Sequence, residues 1–149
     1  MAIDIDGTLK AILDGLQHSS RVFPDDTNKT VTLTAHADAN TWSDWAEIVD
    51  NNALAFSSVF ATKEGHITVI QEEELSDEST VCMLEIAWGA AHNLVTEQRC
   101  AGSGKFQNPD NHARIYVAPI PAGEIVYYRM KTATAVADTA KVHFRYHTH

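Results

Sequence analysis

Cysteine is scarce in this chain. Only Cys82 and Cys100 occur among 149 residues, and they lack the paired spacing of a zinc site. A scaffold held by many disulfides is therefore excluded, and in a cytosolic product both thiols are expected to be reduced. Basic residues are also few. Eleven Lys and Arg stand against twenty Asp and Glu, for a formal charge of −9 and a pI near 5.2. A phosphate-binding surface needs clustered cations, and these are scattered, so direct nucleic-acid contact is not expected. No run approaches the ~20 consecutive apolar residues of a membrane-spanning helix. The opening Met1-Ala2-Ile3-Asp4-Ile5-Asp6 is acidic, whereas a secretory leader begins basic and continues apolar. The expectation is synthesis and retention in the cytoplasm, or release by lysis. No repeat of fixed period and no low-complexity segment is visible.

What is present is enough apolar material for a core. Hydrophobic residues make up 44% of the chain, and a domain of this size buries roughly 68–70% of the surface its unfolded form exposes. A single domain needs no metal or disulfide at that size. Residues 1–29 read as an arm. Leu9, Ile12, Leu13 and Leu16 recur at helical spacing behind a cap at Asp6 or Thr8. A helix of two turns is marginal alone and must dock on something. Arg21 to Lys29, with Phe23-Pro24-Asp25-Asp26, reads as a linker.

From Thr30 to His149 the apolar period is two. Val31, Leu33 and Ala35 alternate with polar neighbours, and Trp45–Asp50 is a short strand candidate. Ser58–Ala61 and His66–Gln71 flank Lys63-Glu64-Gly65, which reads as a hairpin turn with Gly65 in the left-handed position. In Thr80–Trp88, Cys82, Leu84, Ile86 and Trp88 share one face; His92–Arg99 is expected to return antiparallel. Ala101–Asn111 reads as a polar loop. Arg114–Ala118, Glu124–Lys131 and Ala140–Thr148 complete the set, and in the last Val142, Phe144 and Tyr146 alternate with His143, Arg145 and His147. One dry and one wet face per strand suits antiparallel sheets. The fold class expected is all-β: an antiparallel β-sandwich of jelly-roll type over residues 30–149, preceded by the N-terminal arm. The acidic run Glu72-Glu73-Glu74 reads as a solvated loop.

Several short motifs invite chemistry, and each lacks its context. Asp4-Ile5-Asp6-Gly7-Thr8-Leu9 resembles the first motif of the haloacid-dehalogenase-like phosphatases, where the first Asp is the nucleophile. That motif ends a buried strand within alternating strands and helices, and here three residues precede it and runs of strands follow. Gly102-Ser103-Gly104-Lys105 resembles the tail of a phosphate-binding loop, but Arg99 and Phe106 stand where that loop needs Gly and Ser or Thr. His147 and His149 lie two apart on one strand face, a spacing that can ligate a metal. The cupins use a similar pair, but the rest of their pattern is missing, and a solvated face is the plainer reading. No catalytic residue, cofactor or metal site is assigned, and the protein is not expected to be an enzyme. Trp42 and Trp45, three apart among Asn, Thr, Ser and Asp, are a possible ligand loop for sugar stacking.

Several segments read together: Trp45-Ala46-Glu47-Ile48; the strand Leu84-Glu85-Ile86-Ala87-Trp88-Gly89; Pro119-Ile120-Pro121-Ala122-Gly123 followed by Tyr128-Arg129; and then a closing strand. In outline residues 30–149 resemble the small jelly-roll sandwich proteins that tailed bacteriophages encode beside their capsid genes, and are similar to the capsid decoration (cement) proteins among them. The resemblance implies a structural virion protein on the outer capsid surface. It would be a homotrimer that binds the major capsid protein, bridges capsid subunits and stabilises the shell. Ile3, Ile5, Leu9, Ile12, Leu13 and Leu16 would then be the arm's contacts to the capsid or to a sister protomer. Equally, they could cover one edge of the sandwich. The rival reading is a carbohydrate-binding or tail-tip adhesion module using Trp42 and Trp45.

Overall fold

The computed structural model describes Leu9 and residues 20–101, 113–114 and 119–149. Nine strands form among them: β1 (Arg21–Phe23), β2 (Val31–Thr34), β3 (Ala46–Glu47), β4 (Gly65–Leu75), β5 (Val81–Trp88), β6 (Asn93–Ala101), β7 (Ala113–Arg114), β8 (Val126–Thr132) and β9 (Thr139–Thr148). They make two antiparallel sheets packed as a β-sandwich. The first has the order β1-β9-β4-β7, with β2 also paired to β9, and the second has the order β3-β8-β5-β6.

The alternation of β9 organises the first sheet. Ala140, Val142, Phe144 and Tyr146 turn inward, and the residues between them turn out. One edge of β9 pairs along its length with β4, and the other pairs with β1 near Tyr146 and with β2 near Val142. The inward residues of β4 do not keep a period of two: they are Ile67, Ile70, Glu72 and Leu75. Two β-bulges, between Ile67 and Val69 and between Glu72 and Glu74, reconcile them with β9. Each bulge inserts one residue, so side chains three apart fall on the same face. Ile67 thus lies opposite Tyr146, Ile70 opposite Phe144 and Leu75 opposite Ala140.

In the second sheet β5 is central, with β6 on one side and β8 on the other. Cys82, Leu84 and Ile86 face inward from β5 as expected, and Trp88 packs half-buried against the core. From β8, Val126, Tyr128 and Met130 join them. The Tyr128 hydroxyl reaches across the sandwich to accept the Thr34 amide proton at 3.1 Å. One end of the core is aromatic. Phe56 stacks on Phe144 with ring centroids 4.7 Å apart and touches Phe23 at 5.0 Å and Phe60 at 5.4 Å.

Four sequence expectations change. Ser58–Ala61 is not a strand: Phe56–Phe60 is a 3-10 turn that plugs two rings into the core. The stretch expected to be a linker contributes β1, and its Phe23 is buried. The expected acidic loop is instead the middle of β4, and the bulge turns Glu72 inward. Gly65 is the buried first residue of β4 and not a left-handed turn residue; among the described residues the glycines with positive φ are Gly89 and Gly123. Gly65 is needed for closeness. A β-carbon there would meet the Phe60 ring at 2.6 Å and the His147 carbonyl nearer still. Gly65→Ala is therefore expected to lower stability by about 3 kcal/mol, the upper end for overpacking. Urea denaturation would check it, and a loss below ~0.5 kcal/mol, the range of a neutral surface change, would contradict this close approach.

Candidate functional site

The outer face of the second sheet gathers aromatic and cationic side chains. The alternation of β8 that buries Tyr128 and Met130 sends Tyr127, Arg129 and Lys131 outward. Residues 40–48 run beside β8 as an irregular edge. The Asn40 amide donates to the Thr132 carbonyl at 2.7 Å, Ser43 to Met130 at 3.0 Å and Ile48 to Val126 at 3.0 Å. The Ser43 hydroxyl accepts the Met130 amide proton at 3.0 Å. This edge brings both tryptophans over the outward β8 side chains. The Arg129 guanidinium carbon lies 4.8 Å from the Trp42 ring centre and 4.6 Å from that of Trp45, and Lys131 Nζ lies 4.7 Å from Trp42. His92 stacks on Trp45 at 4.9 Å and 10°, and meets Tyr127 edge-on at 5.0 Å.

An ion pair holds the cluster. Arg129 stands opposite Glu85 in the β5–β8 ladder, and its Nε donates to the Glu85 carboxylate. The Glu85 side chain is 9% exposed and that of Arg129 30%. A carboxylate so nearly dry needs its partner, and Arg129 in turn is fixed for contact with the two indoles. Cation–π contacts at partly exposed sites contribute about 0.5–1 kcal/mol each, so the ion pair and the rings help to hold one another in place.

Trp45, Glu85 and Arg129 thus meet at the middle of the cluster. Residues 120–124, which lead into β8, are architectural. Ile120 is buried and bridges to Gly65. Pro121 to Glu124 form a tight turn, with Gly123 at φ 79° and the Glu124 amide donating to the Pro121 carbonyl at 3.4 Å.

Trp42 and Trp45 are half-buried, so the structure brings both expected ligand-loop residues to one place. Their rings are already engaged. Trp45 carries a guanidinium and an imidazole, and Trp42 carries two cations. A sugar would have to displace one of these groups to stack. Sequence reading missed Arg129, Lys131, Tyr127 and His92 as members. The spacing of Tyr127, Arg129 and Lys131 by two was a usable signal; His92, at a turn with φ 50°, left none. Of the arm residues, Leu9 is helical and 52% exposed. Ile3, Ile5, Ile12, Leu13 and Leu16 lie outside the described residues, as does the expected loop beyond Ala101.

Among the described residues two other groups could hold a metal: His66 with His147 and His149, and Glu72 with Cys82 and Cys100. In the second, Cys82 and Cys100 face each other across β5 and β6 as free thiols, and Glu72 approaches from the opposite sheet. Burial pushes the Glu72 carboxyl up to about 7, although a hydrogen bond with the Cys100 thiol opposes the rise. The hydrogen bond with Cys82, together with burial, raises Cys100 well above its usual range. The same hydrogen bond lowers Cys82, against the pull of burial; thiols bind metals as thiolates, so a cation here would first have to displace the proton held by Cys100. No helix among the described residues is long and apolar enough to cross a membrane.

The fold and this face together define a two-sheet β-sandwich bearing a preformed aromatic–arginine patch. Compared with family models, curated proteins and solved structures, the chain matches none.

Two outcomes follow from these geometries. Arg129→Ala strands the Glu85 carboxylate and is expected to cost about 3 kcal/mol. The double variant Glu85→Ala/Arg129→Ala should lose clearly less than the sum of the singles in a chemical-denaturation cycle; simple additivity would deny the pairing. Glu72 gives a pH signature. Its proton is gone in the unfolded chain above about 4.5 but is kept in the folded chain up to about 7. The folded state binds more protons in that window, so this group makes stability fall as pH rises from about 4.5 to 7 and adds no slope outside it. Glu72→Gln removes the effect. The melting temperature of the variant should therefore gain on the parent between pH 4.5 and pH 7, and a constant difference would contradict a buried carboxyl.

Proposed function

We propose that this chain is a non-catalytic structural protein of a tailed-phage virion. In this reading it is a jelly-roll-type sandwich that decorates the outer capsid surface, bridges capsid subunits and stabilises the shell, acting as a homotrimer. The observation that carries the reading is the cluster of Trp42, Trp45, Tyr127 and Arg129 on one sheet face. Trp, Tyr and Arg are the residues that dominate protein–protein binding energy, above all where they are held rigid and partly dry. Exposed apolar side chains occur on neighbouring positions of the same sheet. Leu94, opposite Ala87 on the same face, is 57% exposed, and Ile125 is 40% exposed. The phage assignment itself rests on the resemblance of residues 30–149, in outline, to the capsid decoration proteins. The acidic balance of the chain suits a surface facing other proteins and not packaged DNA. The arm residues Ile3, Ile5, Leu9, Ile12, Leu13 and Leu16 are a further contact in this reading.

A second reading, a carbohydrate-binding or tail-tip module, is favoured by the partial exposure of Trp42. The two separate in one experiment. Capsid shells assembled without this protein are mixed with it and sedimented. Co-sedimentation is expected, with Trp42→Ala weakening it at least tenfold while circular dichroism stays unchanged; light scattering should report three copies. Protein left wholly in the supernatant, together with saturable glycan-array binding lost in Trp42→Ala, would turn the conclusion to adhesion.

A further inference from the structure

We propose that His66, His147 and His149 form a binding site for a divalent transition-metal cation of the zinc class. The site lies on the outer face of the first sheet and is independent of the functional reading above.

Two strands build it. His66 near the start of β4 stands directly opposite His147 in β9, and both point outward because Ile67 and Tyr146 point in. His149 lies two residues beyond His147 and shares its face. Its backbone is held: the Thr148–Gly65 pair extends the ladder, and the His149 amide donates to the Glu64 carbonyl at 2.9 Å. The three rings are mutual neighbours, with centroids 5.1 Å apart for His66 and His147 and 5.0 Å for the other two pairs. One ligand nitrogen from each falls within 4.8 Å of the others.

Chemistry selects the cation. Zinc–nitrogen bonds of ~2.0–2.1 Å in a tetrahedron place ligand nitrogens about 3.4 Å apart. Side-chain rotations alone can close that gap, since the backbone is already paired and the rings stand on an open face. Neutral imidazole suits zinc, copper, nickel and cobalt, and offers little to magnesium or calcium, which take oxygen ligands. His66 and His147 are half-buried and His149 is exposed, which leaves the fourth position open to water. The buried Glu72–Cys82–Cys100 group offers no such opening. A bound cation would tie the end of β9 to the start of β4.

The full chain would be titrated with zinc chloride by calorimetry and thermal melting. One cation per chain is expected, with a rise in melting temperature of roughly 5–10 °C at a hundredfold excess over Kd, and magnesium should give none. His66→Gln and His147→Gln should each weaken binding at least tenfold, while His143→Gln, on the same strand but outside the triad, leaves it unchanged. On the unaltered chain, copper(II) paramagnetic resonance should show coupling to three imidazole nitrogens, a readout that does not depend on any variant folding. Absence of zinc binding, affinity indifferent to His66→Gln, or copper coupled to fewer than three nitrogens would each overturn the site.

Discussion

Strand β9 is the constraint on which the rest depends. It is the strand that holds β1, β2 and β4 in one sheet, and its register fixes which of their side chains lie beside its inward residues. A slip of one residue would send Phe144 and Tyr146 to solvent and His143 and Arg145 into the core. Phe144 is also the ring on which Phe56 stacks, so the register of the sheet and the aromatic end of the core are one requirement. The bulges of β4 are its consequence. Without them the two halves of that strand could not both present Ile67 and Ile70 to the interior.

The second bulge places a carboxyl in the core. Glu72 stands opposite Val142, and its neighbours across the sandwich are two thiols. A charged group there would be costly to desolvate, and the carboxyl answers by holding its proton to about pH 7. The next two acids of the same strand stand in other surroundings. Glu73 meets His143 at 2.9 Å and Glu74 meets Lys141 at 2.6 Å, both in partial contact with water. Three consecutive glutamates thus have three environments, decided by a bulge and not by composition.

The aromatic–arginine patch depends on the second sheet in the same way. β8 turns Arg129 outward, the ladder sets Glu85 beside it, and the irregular edge of residues 40–48 delivers the two indoles. None of these groups is adjacent in the chain.

Period-two alternation was enough to determine the fold class. Val31 and Leu33, Cys82, Leu84 and Ile86, and Val142, Phe144 and Tyr146 all turn inward as their spacing requires, because a pleated strand has no other way to divide its side chains. Trp42 and Trp45 were also legible as a pair, through their composition and closeness. The remaining features needed the tertiary structure. The 3-10 turn at Phe56–Phe60, the strand at Arg21–Phe23 and the burial of Glu72 arise where contacts distant in sequence override local preference. His66 lies 81 residues from its partner His147 in the register of β4 on β9, so two of the three imidazoles were visible as a His-x-His spacing and the third was not. Local spacing decides which way a side chain points; only the pairing of strands decides what it meets.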